Sequence, residues 1–188
     1  KVNGKLFATF GLPMRYLALL RGINVGGNTM IKMDELRKTF EALGFKNVAS
    51  YINSGNLAFD VEKSTEAKLV TKIEKAIEKD FGKQIPAMVR EQKDIERILA
   101  ANPFDGEYES HKEMHILFLK EDMPKESCDQ LLAAAVFPER FTVRGREIYC
   151  HLPMGVAESL LGKSFIEKKL KLSVTGRNWR TVQKLADL

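Results

Sequence analysis

The segment best suited to bind a ligand is a glycine-rich stretch, residues 21–29, which reads RGINVGGNT. Gly22 and Gly27 have the spacing of the two glycines in a phosphate-binding P-loop, where backbone N–H groups surround phosphate oxygens. The lysine that a P-loop needs after its second glycine is replaced here by Asn28. The pattern therefore argues against nucleotide hydrolysis. Two interpretations remain. The glycines only allow the positive φ values of a tight turn, or the turn binds a phosphate or carboxylate.

A second polar cluster occupies residues 175–181, which read TGRNWRT. We interpret it as the opening of the last helix, with Trp179 on the apolar face and Arg177 and Arg180 on another face. The N–H groups of a helix N-terminus and two guanidinium groups suit an anion such as phosphate. The alternative is that the arginines are solvated or paired with nearby carboxylates and that Trp179 belongs to the core.

A third polar cluster, residues 53–56 (NSGN), lies between two β-prone runs and predicts a hairpin turn. We expect this turn at the opposite end of the sheet from the glycine-rich stretch, so that the two would not form one site within a single half. We therefore interpret the turn as structural.

Acid–base and nucleophilic groups form no recognisable constellation. His111, His115 and His151 are not grouped, and Cys150 and His151 are neighbours on a strand, so their side chains point to opposite faces. The carboxylates of Glu107 and Glu109 lie in an acidic connection that is typical of a solvated loop. The sequence accordingly identifies no catalytic residue, and it predicts no metal site and no cofactor.

Composition narrows the class of protein. The chain has 188 residues, 44% of them hydrophobic, which is ordinary for a globular protein. Cys128 and Cys150 make no disulfide framework and fit a reducing compartment, so we expect a cytoplasmic protein. Its apolar runs are far shorter than the roughly 20 residues of a membrane helix, so no membrane partner is expected.

Charge is distributed unevenly along the chain. The formal net charge is +5, yet residues 164–188 alone carry six basic and two acidic residues. This concentration favours a local anion site over a general affinity for nucleic acid. Residues 1–13 carry no periodic pattern, and we interpret them as a segment added for expression, with the natural protein beginning at Met14.

Hydrophobic periodicity predicts the order βαββαβ for residues 14–91, the first half. It places strands at 15–20, 48–52, 57–61 and 85–90 and helices at 33–43 and 69–81. This order is that of a ferredoxin-like, or split βαβ, fold, in which helices cover one face of an antiparallel sheet. The other face of that sheet is left for a further partner.

The pattern then repeats in a degenerate form. Residues 92–113 contain a short helix and a polar connection, and residues 114–188 form a second half with the order βαββα and extra helices. Strands are predicted at 114–120, 141–144 and 147–151, and helices at 125–135, 156–161, 165–170 and 178–188. The sequence thus predicts an α+β protein made of two ferredoxin-like halves.

Four strings resemble the hallmark strings of the bacterial family called domain of unknown function 1697. They are LRGINVGG at residues 20–27, YINSGN at 51–56, NPF at 102–104 and TGRNWRT at 175–181. The resemblance spans essentially residues 14–188, and its one noticed departure is Gly176, where a small residue such as alanine is expected. It implies a cytoplasmic bacterial protein with two ferredoxin-like halves, and it implies no activity.

Three functions remain open on the sequence. The leading hypothesis is a module that binds an anionic ligand, a nucleotide or nucleic acid among them, through eight residues: Arg21, Asn24, Gly26, Gly27, Asn28, Arg177, Asn178 and Arg180. The second is an enzyme acting on a small phosphorylated or carboxylated metabolite. The third is a structural protein in which exposed sheet faces pack half on half, or chain on chain as a homodimer.

Overall fold

The computed structural model describes residues 12–26 and 29–188. The interpretation of residues 1–11 and the ligand-binding roles expected for Gly27 and Asn28 fall outside this part of the chain. The first half consists of β1 (Pro13–Leu20), α1 (Met33–Ala42), β2 (Lys46–Tyr51), β3 (Asn56–Glu62), α2 (Glu66–Phe81), β4 (Ala87–Glu91) and α3 (Gln92–Ala100). The second consists of β5 (Met114–Leu119), α4 (Lys125–Ala134), β6 (Arg140–Arg144), β7 (Glu147–His151), α5 (Phe165–Lys168), β8 (Val174–Asn178) and α6 (Trp179–Ala186).

Each half forms a four-stranded antiparallel sheet, with strand order β2-β3-β1-β4 in the first and β6-β7-β5-β8 in the second. The two sheets therefore have the same topology, and the predicted α+β class with two ferredoxin-like halves is confirmed. The repeat is closer than the sequence indicated, because both halves have the order βαββαβα.

The last part of the second half differs from the prediction. Arg177 and Asn178 do not open a helix but end strand β8, which pairs with β5, and α6 begins only at Trp179. The i, i+3, i+4 spacing of the polar residues does not place them on one helix face, because the spacing spans a strand and the start of a helix. The helix predicted at 156–161 is a series of turns instead, and the residue before them, Gly155, has a φ of +86°.

The first sheet is covered on both faces, and this explains the continuous apolar run of β1. Tyr16, Ala18 and Leu20 face a cluster under α1 and α2, whereas Leu17 and Leu19 face a cluster shared between the halves. The shared cluster also contains residues of β5, α3 and α6, namely Ile116, Phe118, Ile98, Trp179 and Val182. The sheet face that the sequence left without a partner thus packs against the other half.

Helix α2 shows how local sequence sets these elements. Leu69, Ile73 and Ile77 recur at helical spacing and are buried against the sheet. The hydroxyl of Thr65 accepts a hydrogen bond from the Lys68 N–H at the start of the helix, and Gly82 ends it with a φ of +63°. A matching cluster beneath α4 and α5 covers the outer face of the second sheet.

The turn at residues 53–56 lies at the same end of the sheet as the exit of β1, so the prediction that they lie at opposite ends is wrong. Because β1 and β3 are antiparallel, the last residues of β1 meet the first of β3: Leu19 pairs with Asn56. The Leu20 N–H donates to the Gly55 carbonyl oxygen at 2.8 Å. The glycine-rich stretch and the hairpin turn are therefore neighbours.

Gly55 is required by this close approach. Its φ is +78°, and a Cβ atom added there would lie 2.8 Å from the Leu20 Cβ and 3.0 Å from side-chain carbons of Ile23. Gly44 provides a contrast, since its φ is +86° but an added Cβ would meet nothing within 4 Å.

We expect Gly55→Ala to destabilise the protein more than Gly44→Ala does. The Gly44 variant bears only the backbone cost of a left-handed residue, about 1–2 kcal/mol. The Gly55 variant adds overpacking against Leu20 and Ile23, about 1–3 kcal/mol more. Urea unfolding of both variants measures the difference, and equal losses would show that Gly55 is needed only for its φ.

Candidate functional site

A buried arginine joins the second half to the first at the exit of β1. Arg177 of β8 is 7% exposed, and its side chain reaches the carbonyl oxygens of Leu20 at 3.0 Å and Ser54 at 3.2 Å through Nη2. Nε donates to Asn56 Oδ1 at 2.5 Å, and Nη1 donates to Thr175 Oγ1 and the Gly176 carbonyl within its own strand. Every N–H of the guanidinium group therefore has a partner inside the protein.

Arg90 occupies the equivalent position in the first half. It pairs with Leu17 in the sheet register as Arg177 pairs with Ile116, each three residues before the end of the central strand. Arg90 is 1% exposed, and its Nη2 donates to the carbonyl oxygen of Leu119, the counterpart of Leu20, at 2.7 Å. The two arginines thus exchange equivalent contacts between the halves.

The two arginines differ in the charge of their partners. Arg90 Nε donates to Glu147 Oε1 at 2.7 Å and forms a buried ion pair. Asn56 is the counterpart of Glu147, because Asn56 is the first residue of β3 and Glu147 is the first residue of β7. The amide of Asn56 carries no charge. Within residues 12–26 and 29–188, Arg177 makes no ion pair, and burial lowers the pKa of its guanidinium group to about 10. The group remains charged at neutral pH, so its positive charge is not offset locally.

The surface above Arg177, formed by residues 21–26, the turn at 52–55 and Thr175, is called the loop end below. Arg21 is its partly exposed cation. The Arg21 Nη2 atom lies 3.4 Å from Glu167 Oε1 of α5, and both side chains are about one-third exposed, at 37% and 30%. A pair this long and this exposed contributes little stability, so the Arg21 guanidinium group is available to a ligand.

The backbone of the loop end has the φ pattern of an anion-binding nest. Gly22, Asn24 and Gly26 have φ values of +67°, +53° and +63°, and they alternate with residues of negative φ. Such alternation turns successive N–H groups toward one side. The Asn24 N–H itself donates to the Thr29 carbonyl, so it belongs to the loop's own structure.

The side chain of Asn24 positions the loop rather than a ligand. Its Nδ2 donates to the carbonyl oxygens of Ile31 and Asn53, both at 2.8 Å, and its Oδ1 accepts from the Ile31 N–H at 2.8 Å. These three bonds close the base of the loop and tie it to the hairpin turn. Because the amide is fully occupied, Asn24 is a structural support of the loop end.

A cavity of about 780 Å³ adjoins the loop, and its lining includes Asn24, Met30 and Asn53 together with one cation, Lys32, and two carboxylates, Asp34 and Glu35. Three large apolar side chains are exposed around this end of the first half: Val25 by 60%, Met30 by 69% and Ile52 by 51%. Ile52 has a φ of +49°, which is costly for a β-branched residue. An apolar rim beside a cation is suited to a ligand that has both an anionic and an apolar part.

The structure does not bring all the predicted ligand-binding residues together. Arg21, Asn24 and Gly26 lie at the loop end, and Arg177 lies beneath it with its donors occupied. The Asn178 side chain caps α6, accepting from the Thr181 N–H at 2.9 Å. The exposed Arg180 follows the far end of β8, where Asn178 pairs with His115, so a strand about 13 Å long separates it from the loop end.

The structure adds residues that sequence reasoning missed. They are Ser54, Gly55 and Asn56 of the hairpin turn and Glu167 of α5, together with the counterpart pair Arg90 and Glu147. The βαββαβ order itself was a usable signal, because it makes β1 and β3 antiparallel neighbours and so brings the hairpin turn to the exit of β1.

His115 and Cys150 face each other across β5 and β7, in register and on one face of the sheet. Burial lowers the pKa of His115 to about 4 and raises the pKa of the Cys150 thiol well above its ordinary value. Both groups are therefore neutral at pH 7, and the thiol is not activated as a nucleophile. His151 points to the opposite face from Cys150, as predicted.

His151 belongs to a separate polar cluster at the end of β7. Its Nδ1 lies 2.9 Å from Arg140 Nη2, and Arg140 in turn pairs with Glu107 at 2.6 Å, so Glu107 is not merely part of a solvated loop. Burial first, and then the charge of Arg140, lowers the pKa of His151. The described residues contain no cluster of three or more His, Cys, Asp or Glu suited to a metal ion.

Comparison with known protein families assigns the chain to one family. The family described as protein of unknown function (DUF1697) matches residues 14–149, which is most of the chain. The chain belongs to this family. No curated protein matches the sequence.

A solved structure shares the fold of this family member over almost its whole length. A conserved bacterial protein from Streptococcus pneumoniae matches with a TM-score of 0.75 and 26% sequence identity, over 93% of this chain and 98% of the other. In the described parts of the family member, no helix has the length and apolar character needed to cross a membrane.

We expect acid to destabilise the protein through His115. Its pKa falls from 6.5 in the unfolded chain to about 4 in the folded protein, so the unfolded state takes up the proton first. The contribution is fully present above pH 6.5 and is lost as the pH falls toward 4, by about 2 kcal/mol at pH 5.

Urea unfolding of the wild type and of His115→Gln at pH 7.5 and pH 5 tests this expectation. The variant should lose less stability on acidification than the wild type, and other titrating groups cancel because both proteins contain them. An equal pH dependence in the two proteins would mean that His115 is protonated in the folded state.

Proposed function

We propose that the loop end binds a small phosphate-bearing ligand. The observation that carries this proposal is the buried charge of Arg177, which donates to the Leu20 carbonyl oxygen at 3.0 Å and has no carboxylate partner among the described residues. A charge in a poorly polarisable surrounding acts more strongly on its neighbourhood than a solvated one. An anion bound at the loop end would supply the negative charge that Arg177 lacks.

Direct contacts to this ligand come from Arg21 and from the backbone of residues 22–26. Arg21 offers a fork of N–H donors that matches phosphate oxygens, and the alternating φ values of Gly22, Asn24 and Gly26 favour anion contacts by N–H groups. The exposed side chains of Val25, Met30 and Ile52 would contact an apolar part of the ligand, such as a nucleoside.

Binding is favoured over catalysis by where the titratable groups lie. His115 and His151 belong to the ends of β5 and β7 that are farthest from Arg177's contacts with the first half. Glu167 is the carboxylate that the ion pair with Arg21 brings to the loop end. A small ligand is favoured over a nucleic acid because the loop end offers a single accessible guanidinium group, that of Arg21, rather than a stripe of cations.

We expect Arg21→Ala to weaken binding of inorganic phosphate and AMP about ten- to hundredfold, the value of hydrogen bonds to a charged group. Arg180→Ala is the control, because it removes the same charge from a more exposed arginine beyond the far end of β8. Isothermal titration at constant ionic strength measures both. Equal affinities for the wild type and Arg21→Ala would contradict the proposal, and an oligonucleotide affinity that exceeds that for AMP and falls steeply with salt would assign the surface to nucleic acid.

We expect Glu167→Gln to tighten phosphate binding about two- to fivefold. The substitution removes the carboxylate that lies 3.4 Å from Arg21 while keeping the shape of the side chain. The same titration measures the effect, and Glu158→Gln, which replaces an exposed carboxylate in the preceding turns, serves as its control. A loss of affinity in Glu167→Gln would show that Glu167 holds Arg21 in place for the ligand.

A further inference from the structure

The contrast between the two buried arginines bears on which anions the loop end selects. Arg90 and Arg177 occupy equivalent places, reach equivalent carbonyl oxygens and are similarly buried. They differ in that Glu147 pairs with Arg90, whereas the neutral Asn56 takes the corresponding place beside Arg177. The charge of Arg90 is therefore neutralised by Glu147, whereas the charge of Arg177 at the loop end is not neutralised by Asn56.

We propose that Arg177 sets the charge preference of the loop end, making it select a dianionic phosphate monoester over a monoanionic diester without touching either. This inference rests on the proposed function of the loop end. The Arg177 guanidinium group has all its N–H groups directed at protein oxygens, so it acts on a ligand through its charge alone.

Coulomb's law gives this effect its dependence on ligand charge. The interaction energy of a fixed charge with a ligand is proportional to the ligand's charge, so a dianion gains twice what a monoanion gains. Neutral carbonyl and amide oxygens satisfy the hydrogen bonds of Arg177 without cancelling its charge. Arg21 adds to the field and Glu167 partly opposes it, but these two groups are the same for every ligand tested.

Asn56→Asp tests the inference by giving Arg177 a carboxylate where Arg90 has one. The new carboxylate would occupy the position from which Asn56 Oδ1 now accepts from Arg177 Nε at 2.5 Å. Methyl phosphate at about pH 8 is a dianion, and dimethyl phosphate is a monoanion of similar shape. We expect the affinity for methyl phosphate to fall about tenfold and that for dimethyl phosphate about threefold, since the energies stand in the ratio of the charges.

Two further variants make the result decisive. Arg177→Gln removes the charge itself, and it decides the question if loss of the Asn56 amide bonds to Tyr51 and Ser54 prevents folding of Asn56→Asp. Glu147→Gln changes the charge beside Arg90 at the opposite junction and should leave both affinities unchanged. Circular dichroism and urea unfolding establish that each variant is folded.

The outcomes separate this inference from the proposed function. A greater loss for methyl phosphate than for dimethyl phosphate supports the role of Arg177. Equal losses for the two ligands, or no loss in a folded variant, overturn that role while phosphate binding and its dependence on Arg21 remain. If the wild type binds neither ligand, or binds them as well after Arg21→Ala, the proposed function is itself wrong and this inference falls with it.

Discussion

The burial of two arginines, one from each half, is the constraint on which the arrangement of the molecule depends. Arg90 lies in β4 and Arg177 in β8, and each donates hydrogen bonds to the end of the central strand of the other sheet. Burying a guanidinium group is expensive unless its donors are matched, and these contacts match them. Because the donors and acceptors have fixed directions, the contacts also fix how the two sheets face each other. The apolar residues between the sheets, such as Leu17, Ile116 and Val182, supply most of the favourable energy, but apolar contacts alone are not directional.

Most of the fold could be predicted from the sequence because it follows from local periodicity. The stripe of Leu69, Ile73 and Ile77 and the run of β1 are strong signals, and each is preceded or followed by a turn former. Strand β8 was missed for a physical reason. Its five residues include Gly176 and end in a run that fits a helix equally well, and its strand conformation comes from pairing with β5, some 60 residues earlier in the chain. The error in placing the hairpin turn was of another kind, since it lay in the topology and not in the residues.

The candidate site could be predicted only in part. The glycine-rich stretch and Arg21 carry a local signal, namely small residues and a cation between a strand and a helix. The role of Arg177 carries none, because it depends on a contact with Asn56, 121 residues away in the chain. The sequence also grouped Arg177 with Arg180, although Arg177 lies in β8 and Arg180 in the first turn of α6. The positive charge of the site depends on the neutral side chain of Asn56. This becomes evident only by comparison with the carboxylate of Glu147, its counterpart in the other half.

The shared apolar layer between the sheets has a consequence for synthesis of the protein in the cell. The N-terminal half leaves the ribosome first and can form its own sheet, since the partners of β1 are β3 and β4. Until β5, β8 and α6 emerge, only α3 of the same half covers part of the face that bears Leu17, Leu19 and Met88. The chain therefore passes through a stage in which an incomplete molecule exposes apolar surface, which is the kind of surface that promotes aggregation. Arg177 follows β5 in the chain, so its contact with Leu20 joins the two halves only after β8 has been made.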